Sequence, residues 1–265
     1  MAVQTYTGSQ GSRLHYELSG QGAPLLLIHG SLCDYRYWRW QIPAFSQGWQ
    51  VVAPSLRGFW PEAFTQADDS FSIAQHCRDM QDLIRTISPG QPVHVLGHSR
   101  GAQVAVELAC SSPELVRSLI LADPGFRILG EPETTLFHSQ AVALLERGEA
   151  EAGLATFIDS VNGADTWRHM VSWFKTMVRD NAYTLLSQIR ETNLAVDLNQ
   201  LAGLRCPVQL IGGANSPARF GSRLDALENV MQHAVRVSIP LASHGMNLGN
   251  PKAFNQAVAE FLETA

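Results

Sequence analysis

Cysteine is scarce. The four present, Cys33, Cys77, Cys110 and Cys206, show no Cys-x-x-Cys or Cys/His spacing, which excludes a disulfide framework or a zinc site as the basis of the fold. They are expected to be reduced and mostly buried. Long apolar runs are absent as well: no stretch approaches the roughly eighteen uninterrupted apolar residues of a membrane span, and Met1 to Gly11 is polar, without an apolar signal core. Positive charge is limited too. Nineteen Lys plus Arg stand against twenty-four Asp plus Glu, a net charge of -5, the wrong balance for a surface that neutralises phosphates. The expectation is a soluble, cytoplasmic protein, monomer or homodimer, that takes a small-molecule substrate and binds neither nucleic acid nor membrane.

What is present is a rhythm. Of the 265 residues, 45% are hydrophobic, and in the first half they alternate between short apolar runs and amphipathic stretches, the pattern of an α/β protein. Strands are predicted at Arg13–Leu18, Pro24–Ile28, Gln50–Ala53, Val93–Leu96 and Ser118–Ala122. The inner ones are nearly all apolar, as suits strands covered on both faces. Between them Ile73–Ile87 carries apolar residues at a period near 3.6, and a second helix starts at Arg100. From Gly125 to Leu201 strand signals stop and four helical stretches follow, Glu133–Arg147, Glu151–Asn162, Thr166–Arg179 and Ala182–Glu191. The strand and helix rhythm then returns with Pro207–Ile211, Arg219–Met231, Val235–Ile239 and Pro251–Leu262. The chain therefore divides into an α/β core, residues 1–125 and 200–265, and a helical insertion, 126–199, expected to be a lid over one end of the sheet.

The strongest local signal is Gly97-His98-Ser99-Arg100-Gly101, a Gly-x-Ser-x-Gly between a predicted strand and a predicted helix, the context in which that motif carries a nucleophile. The turn would lift Ser99 above the amino end of the next helix, where the helix dipole favours negative charge. A serine hydroxyl needs a base to remove its proton. Of nine histidines, His244 in Leu241-Ala242-Ser243-His244-Gly245 is the candidate, since it lies in a loop after the last predicted strand. His29-Gly30-Ser31 closes the Pro24–Ile28 strand. The backbone N–H groups of Ser31 and Arg100, with that of Leu32, are candidate donors to an oxyanion. The Arg100 side chain is expected at the surface or against the lid.

These blocks, with Ser55-Leu56-Arg57-Gly58, resemble the α/β-hydrolase fold superfamily over the whole chain. The resemblance implies an eight-stranded, mostly parallel sheet flanked by helices, with an all-helical cap inserted after strand six, the nucleophile after strand five and the histidine after strand eight. It implies a serine hydrolase that needs no metal or organic cofactor and cleaves an ester, thioester, lactone or a C–C bond next to a carbonyl. One departure concerns the acid. After strand seven, where most of the family carries it, the sequence reads Gly213-Ala214-Asn215-Ser216. After strand six it reads Leu121-Ala122-Asp123-Pro124, and some members of the fold use that position. Asp123 is taken as the orienting acid, with Asn215 as a neutral substitute and a simple turn cap before Pro124 as the structural reading.

Trp60, Phe126, Phe137, Trp167 and Trp173 are candidates to line an apolar or aromatic pocket under the lid, or else to be core. No basic cluster in the sequence suggests a phosphorylated substrate. A second activity stays open: Asp34-Tyr35-Arg36-Tyr37-Trp38-Arg39-Trp40 and the placement of Asp123 look like those of cofactor-free dioxygenases of the same fold, which deprotonate and cleave 3-hydroxy-4-quinolone-type rings with a His-Asp base. A small-ligand receptor built on this fold is a third possibility, disfavoured by the intact elbow.

Overall fold

A computed structural model of the chain describes residues 2–8, 13–132 and 136–265. The apolar runs form strands β1 (Ala2–Thr7), β2 (Arg13–Ser19), β3 (Pro24–Ile28), β4 (Gln50–Pro54), β5 (Val93–His98), β6 (Val116–Ala122), β7 (Arg127–Ile128), β8 (Ala195–Val196), β9 (Val208–Gly213) and β10 (Val235–Ile239). Eight of them make one sheet in the order β1-β2-β4-β3-β5-β6-β9-β10. Strand β2 runs antiparallel to both of its neighbours, and the remaining pairings are parallel. Parallel strands require crossovers, and helices supply them: α1 (Ile42–Phe45), α2 (Ile73–Ile87), α3 (Arg100–Ser111), α9 (Ala218–Val230), α10 (Met246–Gly249) and α11 (Pro251–Leu262) belong to the sheet-forming part, and α4 (Leu136–Glu146), α5 (Ala150–Asn162), α6 (Thr166–His169), α7 (Ser172–Asp180) and α8 (Thr184–Gln188) to the insertion.

The sheet is buried on both faces, which explains why Leu25 to Ile28 and Leu119 to Ala122 are apolar without alternation. One face packs with Trp38, Phe45 and Phe254, the other with Met80, Leu83 and Leu108. Two glycines allow α3 to cross closely over the sheet: a Cβ at Gly97 would collide with the Gly101 carbonyl, and one at Gly101 with that of Ile28.

Segment 126–199 contributes nothing to the main sheet. Its first and last parts meet as a small parallel pair, Arg127 opposite Ala195 and Ile128 opposite Val196, which closes the neck of a loop holding α4 to α8. One expectation changes here. The stretch Thr166–Arg179 is not one helix: Met170 and Val171 are extended, with ψ of 140° and 150°, so that Trp167 packs in the core while Trp173 turns toward a cavity. The helix expected from Glu133 is seen from Leu136, and its first three positions lie outside the described residues. Strand β1 is an addition. It is an edge strand paired on one side only, so its alternation is weak beside that of the inner strands. The four cysteines are free, Cys33 and Cys77 buried, Cys110 and Cys206 half-buried.

Candidate active site

The turn from β5 into α3 holds Ser99 at φ 53°, ψ -118°, a conformation that costs a residue with a Cβ and persists only where the surroundings impose it. They do so through two backbone bonds: Ser99 N donates to Ala122 O at 3.0 Å, and Gly125 N to Ser99 O at 3.0 Å. The elbow is thus tied to the end of β6, the strand that delivers Asp123.

Ser99 Oγ lies 3.0 Å from His244 Nε2, and His244 Nδ1 lies 3.3 Å from Asp123 Oδ2. With Nδ1 facing a carboxylate, which can only accept, the ring hydrogen belongs on Nδ1, and Nε2 is left to accept from the Ser99 hydroxyl. Asp123 is fully buried. It has a second partner that the sequence does not reveal: the Ser216 hydroxyl donates to the same Oδ2 at 2.5 Å. Ser216 stands beside Asn215, whose backbone N–H is bonded to Ala242 O and which is exposed. The loop after β9 therefore supports the acid from β6 instead of supplying one. Burial pushes the Asp123 carboxyl up to about 6, opposed first by the Ser216 hydrogen bond. Burial, then Arg219 and Arg223, pushes His244 down to about 3. Above both values the carboxylate is charged and the imidazole neutral, the states that suit a general base.

Two neighbours hold His244, one at its ring and one at its backbone. Phe220, in the first turn of α9, stacks on it with ring centroids 4.0 Å apart. His98 Nε2 donates to the His244 carbonyl at 2.8 Å. His29 plays a structural part. Its Nε2 accepts from Leu56 N at 3.0 Å, so its Nδ1 hydrogen goes to Gly30 O at 2.8 Å, and burial lowers it to about 4.

Ser31 and Leu32 form a tight turn after β3, with Leu32 at φ 59° and its side chain fully buried. Arg100 opens α3, so its N–H has no intrahelical acceptor. Among the described residues no protein acceptor faces the N–H of Ser31, Leu32 or Arg100. The Arg100 side chain is buried, not at the surface, and pairs with Glu191 of the inserted segment at 2.7 Å.

Ser99 sits where two cavities meet. The larger, about 500 Å³, lies on the His244 side and is walled by Tyr37, Met170, Trp173 and Phe174 among others. The smaller, about 90 Å³, lies on the Arg100 side and includes Phe126 and Phe137. Ser31 borders both. Trp60 and Trp167 line neither. The Trp60 ring carries the Arg36 guanidinium at 3.9 Å, and Trp167 is buried beneath Lys175 and Arg179. The smaller cavity also corrects the reading that no basic cluster exists: Arg100, Arg127, Arg219 and Arg223, dispersed in sequence, converge on it. Among the described residues no group of three His, Cys, Asp or Glu is placed to hold a metal ion, and no helix is long and apolar enough to cross a membrane.

An eight-stranded, mostly parallel sheet with a serine on a strained strand-to-helix elbow defines the α/β-hydrolase class of fold. Residues 25–257 match the model of the alpha/beta hydrolase family, and the chain belongs to that family of enzymes. The (E)-2-((N-methylformamido)methylene)succinate hydrolase of Acinetobacter baylyi is 24% identical over 276 residues, covering 100% of this chain and 99% of that protein. A soluble epoxide hydrolase from a Corynebacterium species is 32% identical over 123 residues, 46% of this chain and 42% of its own. Among solved structures, the enol-lactonase of Burkholderia xenovorans superposes with a TM-score of 0.81 at 22% identity, covering 98% of this chain and 100% of its own.

Proposed function

We propose that the protein is a cofactor-independent serine hydrolase of a small or medium carboxylic acid derivative, an ester, thioester, lactone or a C–C bond next to a carbonyl, with Ser99, His244 and Asp123 as its triad. The observation that carries this reading is the Ser99 to His244 contact at 3.0 Å with Asp123 on the opposite ring nitrogen. Ser99 Oγ attacks the carbonyl carbon as its proton passes to His244 Nε2, and the carbonyl π electrons move onto oxygen. The N–H groups of Ser31 and Arg100, with Leu32 behind them, receive that oxyanion. Donors of this kind are worth about 3 kcal/mol each where they have been removed in other enzymes. The tetrahedral adduct collapses, the bond to the leaving group breaks, and His244 returns the proton to it. Water then gives a proton to His244 and attacks the acyl-Ser99 ester; the adduct collapses, the bond to Ser99 Oγ breaks, and His244 passes the proton to Oγ, which restores the serine and releases the acid.

Asp123 fixes the imidazole tautomer and offsets the positive charge that develops on it. Segment 126–199 acts as a cap: Phe137, Phe157, Val161 and Trp173 close the cavities over Ser99. Two relatives named for a succinate hydrolase and an enol-lactonase are in keeping with acyl chemistry. A dioxygenase would use His244 and Asp123 but has no need of a hydroxyl held on the base, so the Ser99 contact favours hydrolysis.

The test is covalent. A fluorophosphonate should label Ser99 and no other residue, and Ser99→Ala should abolish both labelling and turnover of short 4-nitrophenyl esters. Turnover that survives Ser99→Ala but not His244→Ala would instead establish base chemistry without a nucleophile.

A further inference from the structure

The small cavity beside Ser99 has a charge that the chain's net value of -5 conceals. Four arginines border it. Two are neutralised, Arg100 by Glu191 at 2.7 Å and Arg223 by Glu131 at 3.1 Å. The other two bond only to carbonyl oxygens. Arg219 Nη2 donates to Ser160 O at 2.6 Å, and Arg127 donates to the carbonyls of Glu131 and Asn193 at 2.7 and 2.8 Å. Among the described residues neither forms an ion pair with a carboxylate; the Asp123 charge acts on Arg219 only through space.

The polar atoms left without partners point the same way. Arg100 Nε, Arg127 Nε, His138 Nδ1 and Gln188 Oε1 are buried and unbonded, and all four residues belong to the wall of this cavity. Arg100 and Gln188 are only 6% and 5% exposed. Gln188 Nε2 donates to His138 Nε2 at 3.3 Å, which leaves the His138 hydrogen on Nδ1 as one more free donor. Three unpartnered donors against one unpartnered acceptor, with two cations lacking a counter-ion, make a costly arrangement until something supplies the missing acceptors. A carboxylate does so, since a guanidinium presents parallel N–H groups that match its two oxygens. At about 90 Å³ the space has room for a carboxylate on a short methylene stem.

We infer that this cavity is an anion subsite, so that the substrate carries a free carboxylate a few bonds from the scissile carbonyl, held by Arg219 and Arg127, while its remaining apolar part occupies the larger cavity. The inference rests on the assignment of Ser99 as nucleophile, because Ser99 lies between the two spaces. It narrows the reaction from esters in general to half-esters, lactones or related derivatives of dicarboxylic acids.

The experiment compares kcat/KM for isosteric pairs in which an isopropyl group replaces the carboxylate, monomethyl succinate against methyl 4-methylpentanoate for an acyl-side carboxylate, and acetoxyacetate against isobutyl acetate for a leaving-group carboxylate. Fluorophosphonate labelling is run on the same protein. The charged member of at least one pair should be favoured roughly tenfold or more, the usual worth of a hydrogen bond to a charged group. Arg219→Gln should bring that ratio toward one, and Arg219→Lys, which keeps the charge but loses the fork, should restore part of it. Ratios of one or less in both pairs, with Ser99 labelled and the neutral esters turned over, overturn the anion subsite and leave the hydrolase intact. If Ser99 is not labelled and no ester is cleaved, the hydrolase reading fails on its own. The subsite is then decided by calorimetry of succinate on the intact protein: binding lost in Arg219→Gln supports it, and no binding at millimolar succinate overturns it.

Discussion

Phe220 lies flat against the His244 imidazole, with centroids 4.0 Å apart and planes 18° from parallel, and the Arg219 guanidinium sits 4.8 Å over the other ring of the pair, that of Phe220. One turn of helix therefore touches both features: its aromatic ring lies on the His244 imidazole, and its arginine forms a wall of the smaller cavity. The orientation of His244 depends on that flat face, because Asp123 at 3.3 Å restrains only one edge of the ring. Phe220→Leu keeps an apolar side chain but removes the plane. The expected result is a fall in kcat of about ten to a hundredfold, the scale seen when a reacting group is slightly misplaced, with KM little changed. Steady-state kinetics check it, and a wild-type kcat in a folded Phe220→Leu protein rules out the positioning role.

The pH profile follows from the buried pair. Burial raises Asp123 to about 6 and lowers His244, so as pH falls through about 6 the pair takes up a proton and the base form is lost. The value of kcat/KM should drop tenfold per pH unit on that acid limb, and its apparent pKa belongs to the pair. Ser216 sets where the limb lies. Its hydroxyl bonds the charged carboxylate, and removing a bond to the charged form raises a pKa. Ser216→Ala should therefore move the limb to higher pH, with the plateau above it nearly retained. An unshifted limb would show that Ser216 does not tune the acid.

Gly125 offers a test of access to the nucleophile. A Cβ built on it falls 2.9 Å from both Ser99 Oγ and Arg100 N, and 2.8 Å from Ser99 C. Two of these are backbone atoms, which do not swing aside as a side chain would. Gly125→Ala should lower kcat/KM by about a hundredfold or more, since both the proposed nucleophile and a proposed oxyanion donor are obstructed. Circular dichroism should show the fold kept. Full activity in this variant would place the oxyanion away from the Arg100 amide.

How much of this was legible depended on how local the information was. The elbow is written in five consecutive residues, and the inner strands announce themselves by unbroken apolar runs, so β3 has the bounds its pattern suggests, as do helices α2, α3 and α11. The place of Asp123 at a strand end was legible because the apolar run of β6 ends at Ala122. Ser216 could not, because a serine after a strand is ordinary until the carboxylate it bonds is known. The arginine cluster was hidden for the same reason. Arg100, Arg127 and the pair Arg219 and Arg223 come from three elements far apart in sequence, α3, β7 and α9, and each alone reads as surface charge. Trp60 and Trp167 erred in the opposite direction: an aromatic residue near a predicted lid tells nothing of which way its ring turns, and tertiary packing decided that.

The Arg100 to Glu191 pair links α3 to segment 126–199, and its energetics are set by burial. The Arg100 and Glu191 side chains are 7% and 11% exposed, 2.7 Å apart. Glu191 also accepts the N–H of Ile73 at 2.9 Å, at the start of α2. Removing one partner leaves a buried charge unpaired, which costs about 3 to 5 kcal/mol, whereas replacing both with apolar groups is close to neutral in many proteins. Glu191→Ala should therefore destabilise the protein by that amount in denaturant titrations, and the double variant Arg100→Met, Glu191→Leu should recover most of it. Catalysis separates the Arg100 backbone from its side chain: the double variant retains the amide that opens α3, so fluorophosphonate labelling of Ser99 should persist in it. Loss of labelling in a stable double variant would mean that the guanidinium, and not only the amide, acts at the reacting centre.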